Sequence, residues 1–209
     1  MSQYFQIHPT HPQQRLVSRA VAIVRNGGVI VYPTDSCYAL GCCIGNKAAM
    51  ERVRRIRQVG QHHNFTLVCR DLSEIGGYAK MDNTAHQLLR SHTPGPYTFI
   101  LKATREVPRR LQNSRQKTIG VRIPDHPVTQ VLLESLGEPF MSSTLILPAA
   151  DSPMTDIQEM VLALKGQVEL IIDGGYCGSE PTTIVDLTDD NPRVARYGLG
   201  DTSAFESAT

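Results

Sequence analysis

Five short polar turns hold most of the residues in this chain that could act on a ligand. They are Pro33-Thr34-Asp35-Ser36, Thr93-Pro94-Gly95-Pro96, Arg122-Ile123-Pro124-Asp125-His126-Pro127, Ser142-Ser143-Thr144 and Glu180-Pro181-Thr182-Thr183. Each follows or precedes a predicted strand, which is where open α/β sheets place their ligands. Pro, Gly, Asp and Ser also build ordinary turns for backbone reasons, so any one of these segments taken singly reads either way. The glycine-rich Asp173-Gly174-Gly175-Tyr176-Cys177-Gly178 is read as a turn. His62-His63 could act as acid and base or ligate a metal, or could lie in a surface loop, because adjacent histidines point apart in most conformations. No GxxxxGK[ST] phosphate loop, GxGxxG after a strand, GxSxG elbow or HExxH pair is present. The cysteines, Cys37, Cys42, Cys43, Cys69 and Cys177, are odd in number and lack a CxxC pair, which suggests neither a disulfide framework nor a zinc cage. They read as small buried apolar residues; Cys37 is the best candidate for a reactive thiol, with no neighbour that marks it as activated.

The elements that must position these turns alternate. Helical spacing of apolar residues predicts helices over Gln13–Arg25, Lys47–Arg57, Asn83–Arg90, Val128–Leu136 and Thr155–Leu164. Short β-branched or apolar runs predict strands at Val29–Tyr32, Phe65–Cys69, Tyr97–Lys102, Thr118–Ile123, Phe140–Ile146, Val168–Ile172, Thr183–Leu187 and Val194–Tyr197. Such alternation builds an α/β fold, a twisted and largely parallel or mixed sheet covered on both faces, with antiparallel additions at the strand-rich end. No Pro/Gly/Ser-rich linker divides the chain, so residues 1–198 are expected to form one domain and 199–209 a loose tail.

Composition narrows the class. With 209 residues, 41% of them hydrophobic and 20% charged, the chain suits a globular unit rather than a fibrous or disordered one. Its longest apolar runs fall far short of the ~20 residues of a membrane helix, and Met1 to Gln14 lacks the pattern of a secretion signal, so no membrane partner and a cytoplasmic location are expected. The net charge of +1 conceals a segregation: residues 47–122 carry 15 basic and 5 acidic side chains, residues 123–209 carry 3 and 14. Either the two parts pair this charge internally or a cationic surface serves an anionic partner, nucleotide or nucleic acid.

The order and spacing of the turns resemble a known family. The run Val31-Tyr32-Pro33-Thr34-Asp35-Ser36-Cys37-Tyr38-Ala39-Leu40-Gly41 is similar to the opening signature of the YrdC/YciO family, the threonylcarbamoyl-adenylate synthases of tRNA modification. Pro94-Gly95-Pro96-Tyr97-Thr98, Val121-Arg122-Ile123-Pro124-Asp125-His126-Pro127 and Thr182-Thr183-Ile184-Val185-Asp186-Leu187 follow in the family's order, and the details look closest to the YciO branch. The resemblance spans about Arg15 to Val194. It implies a YrdC-like twisted mixed parallel/antiparallel sheet with flanking helices around a large basic cavity. It also implies that the cavity accepts ATP, with Mg2+ on its phosphates, together with L-threonine or a related small amino acid and bicarbonate. Threonine carbamoylated at its amine would attack the α-phosphate through the carbamate oxygen and release pyrophosphate; ATP is then a substrate and no tightly bound cofactor or protein-held metal is expected.

On that resemblance Thr34 lies in the threonine pocket and Asp35 stands where the family often has Glu. Arg122 faces the nucleotide phosphates, Ser142 and Thr183 supply hydroxyls around the nucleotide, and the catalytic positions fall on Arg57 and Thr144. Two departures stand out: the family's Lys-x-Arg becomes Arg57-Gln58-Val59 and its Ser-x-Asn becomes Thr144-Leu145-Ile146. Loss of one oriented donor at a transition state costs about 3 kcal/mol, roughly 10²-fold in rate, so a weakened or redirected synthase is expected. Arg54, Arg55, His62 and His63 lie near enough in sequence to replace the lost cation, the histidines only when protonated. The family's Trp before Pro-Gly-Pro is here Thr93. The alternative is an RNA-binding module, for double-stranded RNA or for tRNA or rRNA, with a vestigial pocket, in which Arg52, Arg54, Arg55, Arg109, Arg110, Arg115 and Lys117 contact phosphates.

Overall fold

The computed structural model describes residues 2–61, 63–113, 115–148, 150–189 and 191–205. In chain order the first half comprises β1 (Gln3–Gln6), α1 (Gln14–Arg25), β2 (Ile30–Tyr32), β3 (Ala39–Cys43), α2 (Lys47–Arg57), β4 (Thr66–Val68), α3 (Leu72–Tyr78), β5 (Ala79–Lys80), α4 (Asn83–His92) and β6 (Tyr97–Ala103). The second half adds β7 (Thr118–Arg122), α5 (Pro127–Leu136), β8 (Phe140–Thr144), α6 (Ile157–Ala163), β9 (Leu170–Asp173), β10 (Thr183–Asp186) and β11 (Arg193–Arg196).

One mixed sheet runs in the order β1-β9-β2-β3-β8-β4-β7-β6-β10-β11, with β5 attached to β6. Parallel pairs (β1/β9, β2/β9, β4/β7, β6/β10) are mixed with antiparallel ones such as β3/β8 and β6/β7. The continuous apolar run Val29–Tyr32 has the meaning its composition suggests. Val29 and Val31 enter one core while Ile30 and Tyr32 enter the other, because successive strand side chains point to opposite faces. The smaller core is closed by α1 and α5 through Val17, Val21, Leu132 and Leu136. The larger holds α2, α3 and α4 through Val53, Ile75 and Leu89.

Helices α2, α3, α4 and α6 start where side chains satisfy their first N–H groups: Asn46, Asp71, Asp82 and Asp156 each accept from the residue three positions on. Gly137 ends α5 at φ 77°, a left-handed turn that costs a glycine nothing. Four elements escape the sequence reading. Strand β1 is polar and lies at the sheet edge; β3 reads ALGCC, with Gly41 admitting the rings of Tyr32 and Phe140 against its backbone. Helix α3 contains Gly76-Gly77, and β5 has two residues.

The expected loose tail does not hold over 199–205. Phe205 is buried against His92, Tyr97 and Phe99, with ring centroids 4.7, 5.9 and 6.1 Å away. The Leu199 amide donates to the Pro181 carbonyl at 2.9 Å. An aromatic residue near the end of a polar stretch supplies the burial that composition averages away; residues 206–209 of the expected tail lie outside the described residues. All five cysteines are free. Among the described residues no helix is long and apolar enough to cross a membrane.

Candidate functional site

Three arginines from distant parts of the chain converge on one cleft in the sheet, a space of about 680 Å³ counted out to its open mouth. Arg57 is the last residue of α2, where a cation is favoured by the helix dipole, and Gln58 turns the chain away in a left-handed conformation at φ 49°. Its Nη1 donates to Ser143 Oγ at 2.9 Å and to the Thr144 carbonyl. Arg122 ends β7 and donates through Nη2 to Ser36 Oγ at 3.0 Å, to Thr34 Oγ1 at 3.3 Å and to the Asp35 carboxylate. Arg196 ends β11 and donates to the Thr182 carbonyl through Nε at 3.1 Å and Nη2 at 2.7 Å. The Nε atoms of Arg57 and Arg122 and Oδ2 of Asp35 are buried without a partner.

Hydroxyls line the cleft between these cations. Thr182 Oγ1 lies 2.9 Å from Thr98 Oγ1, and Ser142 Oγ lies 2.6 Å from the Tyr32 hydroxyl. Desolvation lowers the pKa of Arg57 and of Arg196, yet a guanidinium keeps its proton near neutrality, so the cleft presents cations whose positions are fixed by hydrogen bonds. His63 also faces the cleft, with Nε2 3.4 Å from Ser143 Oγ. Burial first, then Arg57 and Arg54, push its pKa below the usual histidine value, so it stays neutral and does not replace the missing cation. His62 lies outside the described residues. The Cys37 thiol lines the cleft but donates to the Glu180 carbonyl at 3.1 Å, and burial raises its pKa, the reverse of an activated thiol. Among the described residues no group of three or more His, Cys, Asp or Glu could hold a metal ion.

Of the residues singled out in the sequence, Arg57, Arg122, Ser142 and Thr144 line the cleft together. Thr34 and Thr183 do not. Thr34 is 2% exposed and its hydroxyl ties its own turn, donating to the Cys37 carbonyl at 2.6 Å and accepting the Ser36 and Cys37 amides. Thr183 is fully buried and donates to the Gly200 carbonyl at 2.6 Å. Their neighbours Ser36 and Thr182 face the cleft instead, a choice made by turn hydrogen bonds and strand alternation rather than residue type. Asp35 reaches the site only through Arg122. Ile146, at the place of the family's amide, lines the cleft with a side chain that offers no donor. Sequence reading missed Arg196. The strand around Val194 was legible, and alternation from Val194 puts Arg196 on that same face.

The basic segment separates into two kinds of charge. Arg52 is paired with Glu169, the one ion pair among the described residues that joins segment 47–122 to the acidic second half. Arg54 is buried, paired with Glu51, and its guanidinium lies 5.0 Å from the Phe65 ring centroid. These two are corrections to the expected RNA-contacting set. On α2 Arg54 falls beside Met50 and Arg52 beside Ile56, at the two edges of the apolar face, whereas Arg55 points outward. Arg55, Arg109, Arg110, Arg115 and Lys117 are exposed and have no carboxylate partner among the described residues.

Comparison with known proteins agrees with this architecture. The Sua5/YciO/YrdC family model, described as telomere recombination, matches residues 22–198. The chain is 58% identical to the YciO protein of Escherichia coli strain K12 over 98% of its own length and all of that protein. It superposes on the E. coli YciO crystal structure with a TM-score of 0.95 over 99% of this chain and 100% of that one. A threonylcarbamoyl-AMP synthase of Chromobacterium violaceum is 33% identical over 90% of this chain and 96% of the enzyme. The structure of P. abyssi Sua5 complexed with L-threonine shares the fold at 23% identity, with a TM-score of 0.86 over 94% of this chain and 58% of that one.

Proposed function

The chain belongs to the Sua5/YciO/YrdC family, and from that premise we propose that it is a diverged, weakened L-threonylcarbamoyladenylate synthase acting in the cytoplasm. The observation that carries this reading is the convergence of Arg57, Arg122 and Arg196 with a hydroxyl lining on one partly closed cleft. Three fixed guanidiniums suit a triphosphate, whose charge grows at the departing pyrophosphate as the α-phosphate is attacked. Magnesium enters with the triphosphate and neutralises part of its charge. The Ser36 end, beside the Asp35–Arg122 pair, receives the small amino acid; the L-threonine held by P. abyssi Sua5 supports that class of ligand. Bicarbonate and the threonine amine give a carbamate with loss of water. One carbamate oxygen then bonds to the α-phosphorus as the bond to the bridging oxygen of pyrophosphate breaks.

Val59 and Ile146 lower the rate in this reading, since each replaces an oriented donor. Radiolabelled ATP with L-threonine and bicarbonate tests it. Pyrophosphate release should run at least 10²-fold slower than with the Chromobacterium enzyme assayed alongside, and the double variant V59R/I146N should recover at least tenfold of it. Absence of any ATP or L-threonine binding at millimolar ligand would overturn the reading.

A second reading has its own support in the exposed Arg55, Arg109, Arg110, Arg115 and Lys117, which have no carboxylate partner among the described residues: this surface binds structured RNA through phosphates. Its affinity should fall steeply with salt; binding that ignores salt, or none at low salt, rejects it.

A further inference from the structure

The reaction proposed for the cleft has to dispose of a proton, and the lining offers little to take it. When an ammonium joins bicarbonate, nitrogen bonds to carbon, one carbon–oxygen bond breaks, and the products are a carbamate, one water and one H+. Among the described residues no Asp or Glu lines the cleft. Arg57, Arg122 and Arg196 keep their protons at neutral pH, and so does the Cys37 thiol, whose pKa burial raises. His63 is the group that remains. Burial first, then Arg57 and Arg54, hold its imidazole neutral, with a lone pair open at pH 7.

Its hydrogen bonds say which nitrogen carries that lone pair. Ser143 Oγ accepts from Arg57 Nη1 at 2.9 Å, and a guanidinium can only donate, so the one hydroxyl proton is free for His63 Nε2 at 3.4 Å. That contact is long, as catalytic contacts often are before substrate binds. A neutral ring that accepts on Nε2 carries its proton on Nδ1. The ring packs edge-on to Phe65, with centroids 5.2 Å apart at 77°, and stands between two spaces. It lines both the arginine cleft and an adjoining trough of about 1010 Å³ edged by Arg109, Arg110 and Arg115. Every charged side chain that lines either space is a cation, so a proton taken up on His63 is repelled rather than held.

Resting on the synthase reading of the cleft, we infer that His63 is the general base of carbamate formation and carries the proton from the cleft to the trough. Ser143 Oγ takes a proton from the amine, through a water in the cleft, as it passes its own to Nε2. The Nδ1 proton then leaves to water in the trough, and exchange with that water restores the starting tautomer.

Pyrophosphate release from radiolabelled ATP with L-threonine and bicarbonate, followed from pH 5.5 to 9 on the full chain, on His63→Gln and on His63→Ala, tests this. In the intact protein kcat should rise to a plateau with an apparent pKa below about 6.5. Each variant should lose about 10²-fold in kcat at pH 7 while KM for ATP stays within twofold, which a misfolded protein would not show. Without the base the rate should instead climb with ionisation of the α-amino group itself, at about pH 8 or above. Added imidazole should restore at least tenfold to His63→Ala and leave the intact protein unchanged. Unchanged kcat in both variants, or a loss that keeps the intact pH profile and that imidazole does not repair, overturns the role of His63 and leaves the synthase reading standing. If the intact protein releases no pyrophosphate at any pH, the two fall together.

Discussion

Two groups of arginines lie close together in this protein and have almost opposite physics. Arg122 is buried, Arg57 half-buried and Arg196 exposed, yet all three are fixed by hydroxyls and carbonyls and aimed at a common space. Arg109, Arg115 and Lys117 are exposed and carry no ion pair among the described residues. A charge held in place with little water around it acts strongly on one small anion, whereas solvated charges act weakly, collectively and only while salt is low. The count of basic residues in segment 47–122 therefore describes two devices at once, and a third group, Arg52 and Arg54, belongs to neither.

The largest effect that would sharpen this contrast is expected from Arg122→Ala. The substitution leaves the carboxylate of Asp35, whose side chain is 11% exposed, without its partner, and stability should fall by about 3–5 kcal/mol in chemical denaturation. The double variant R122A/D35A should regain most of that stability but no nucleotide binding; recovery of binding as well would erase the distinction between oriented and solvated charge. Arg57→Ala should lower pyrophosphate release by about 10²-fold with RNA binding unchanged. On the other side, R109A/R115A/K117A should leave ATP affinity within twofold while the slope of log affinity for RNA against log salt becomes shallower by about 2 to 3. An equal loss of ATP binding would show that the two groups act as one.

The smallest effect is on stability and concerns His63. Its folded pKa lies below the unfolded value of about 6.5, so the unfolded chain takes up a proton first as pH falls. Its contribution is intact above that value and is lost as pH drops below it; His126, also lowered chiefly by burial, adds in the same sense. Denaturation followed from pH 7.5 to 5 should show stability falling toward acid, and His63→Gln should flatten that fall.

Much of the scaffold is legible in the sequence because local chemistry and packing agree there. Helix α2 starts and stops where its apolar spacing predicts, and Val29–Tyr32 announces a strand buried on both faces. Helix α3 is not legible, because Gly76-Gly77 argues against a helix that the Asp71 cap and the burial of Ile75 nevertheless hold. Within the site, the arginine at the end of β7 and the one closing α2 were visible from motif order. The exchange of Thr34 for Ser36 and of Thr183 for Thr182 was not, since it depends on which hydroxyl the turn consumes. Helical periodicity alone could have separated Arg54 from Arg55.

The wall of the cleft that carries Thr182 is fastened from behind by residues that come later in the chain. The Gly200 carbonyl holds the hydroxyl of Thr183, and Phe205 wedges beneath the strand that supplies Thr98. A nascent chain emerging from a ribosome can complete almost every strand of the sheet and still lack this fastening. Competence to grip a ligand therefore depends on residues 200–205, which lie beyond the last strand of the sheet.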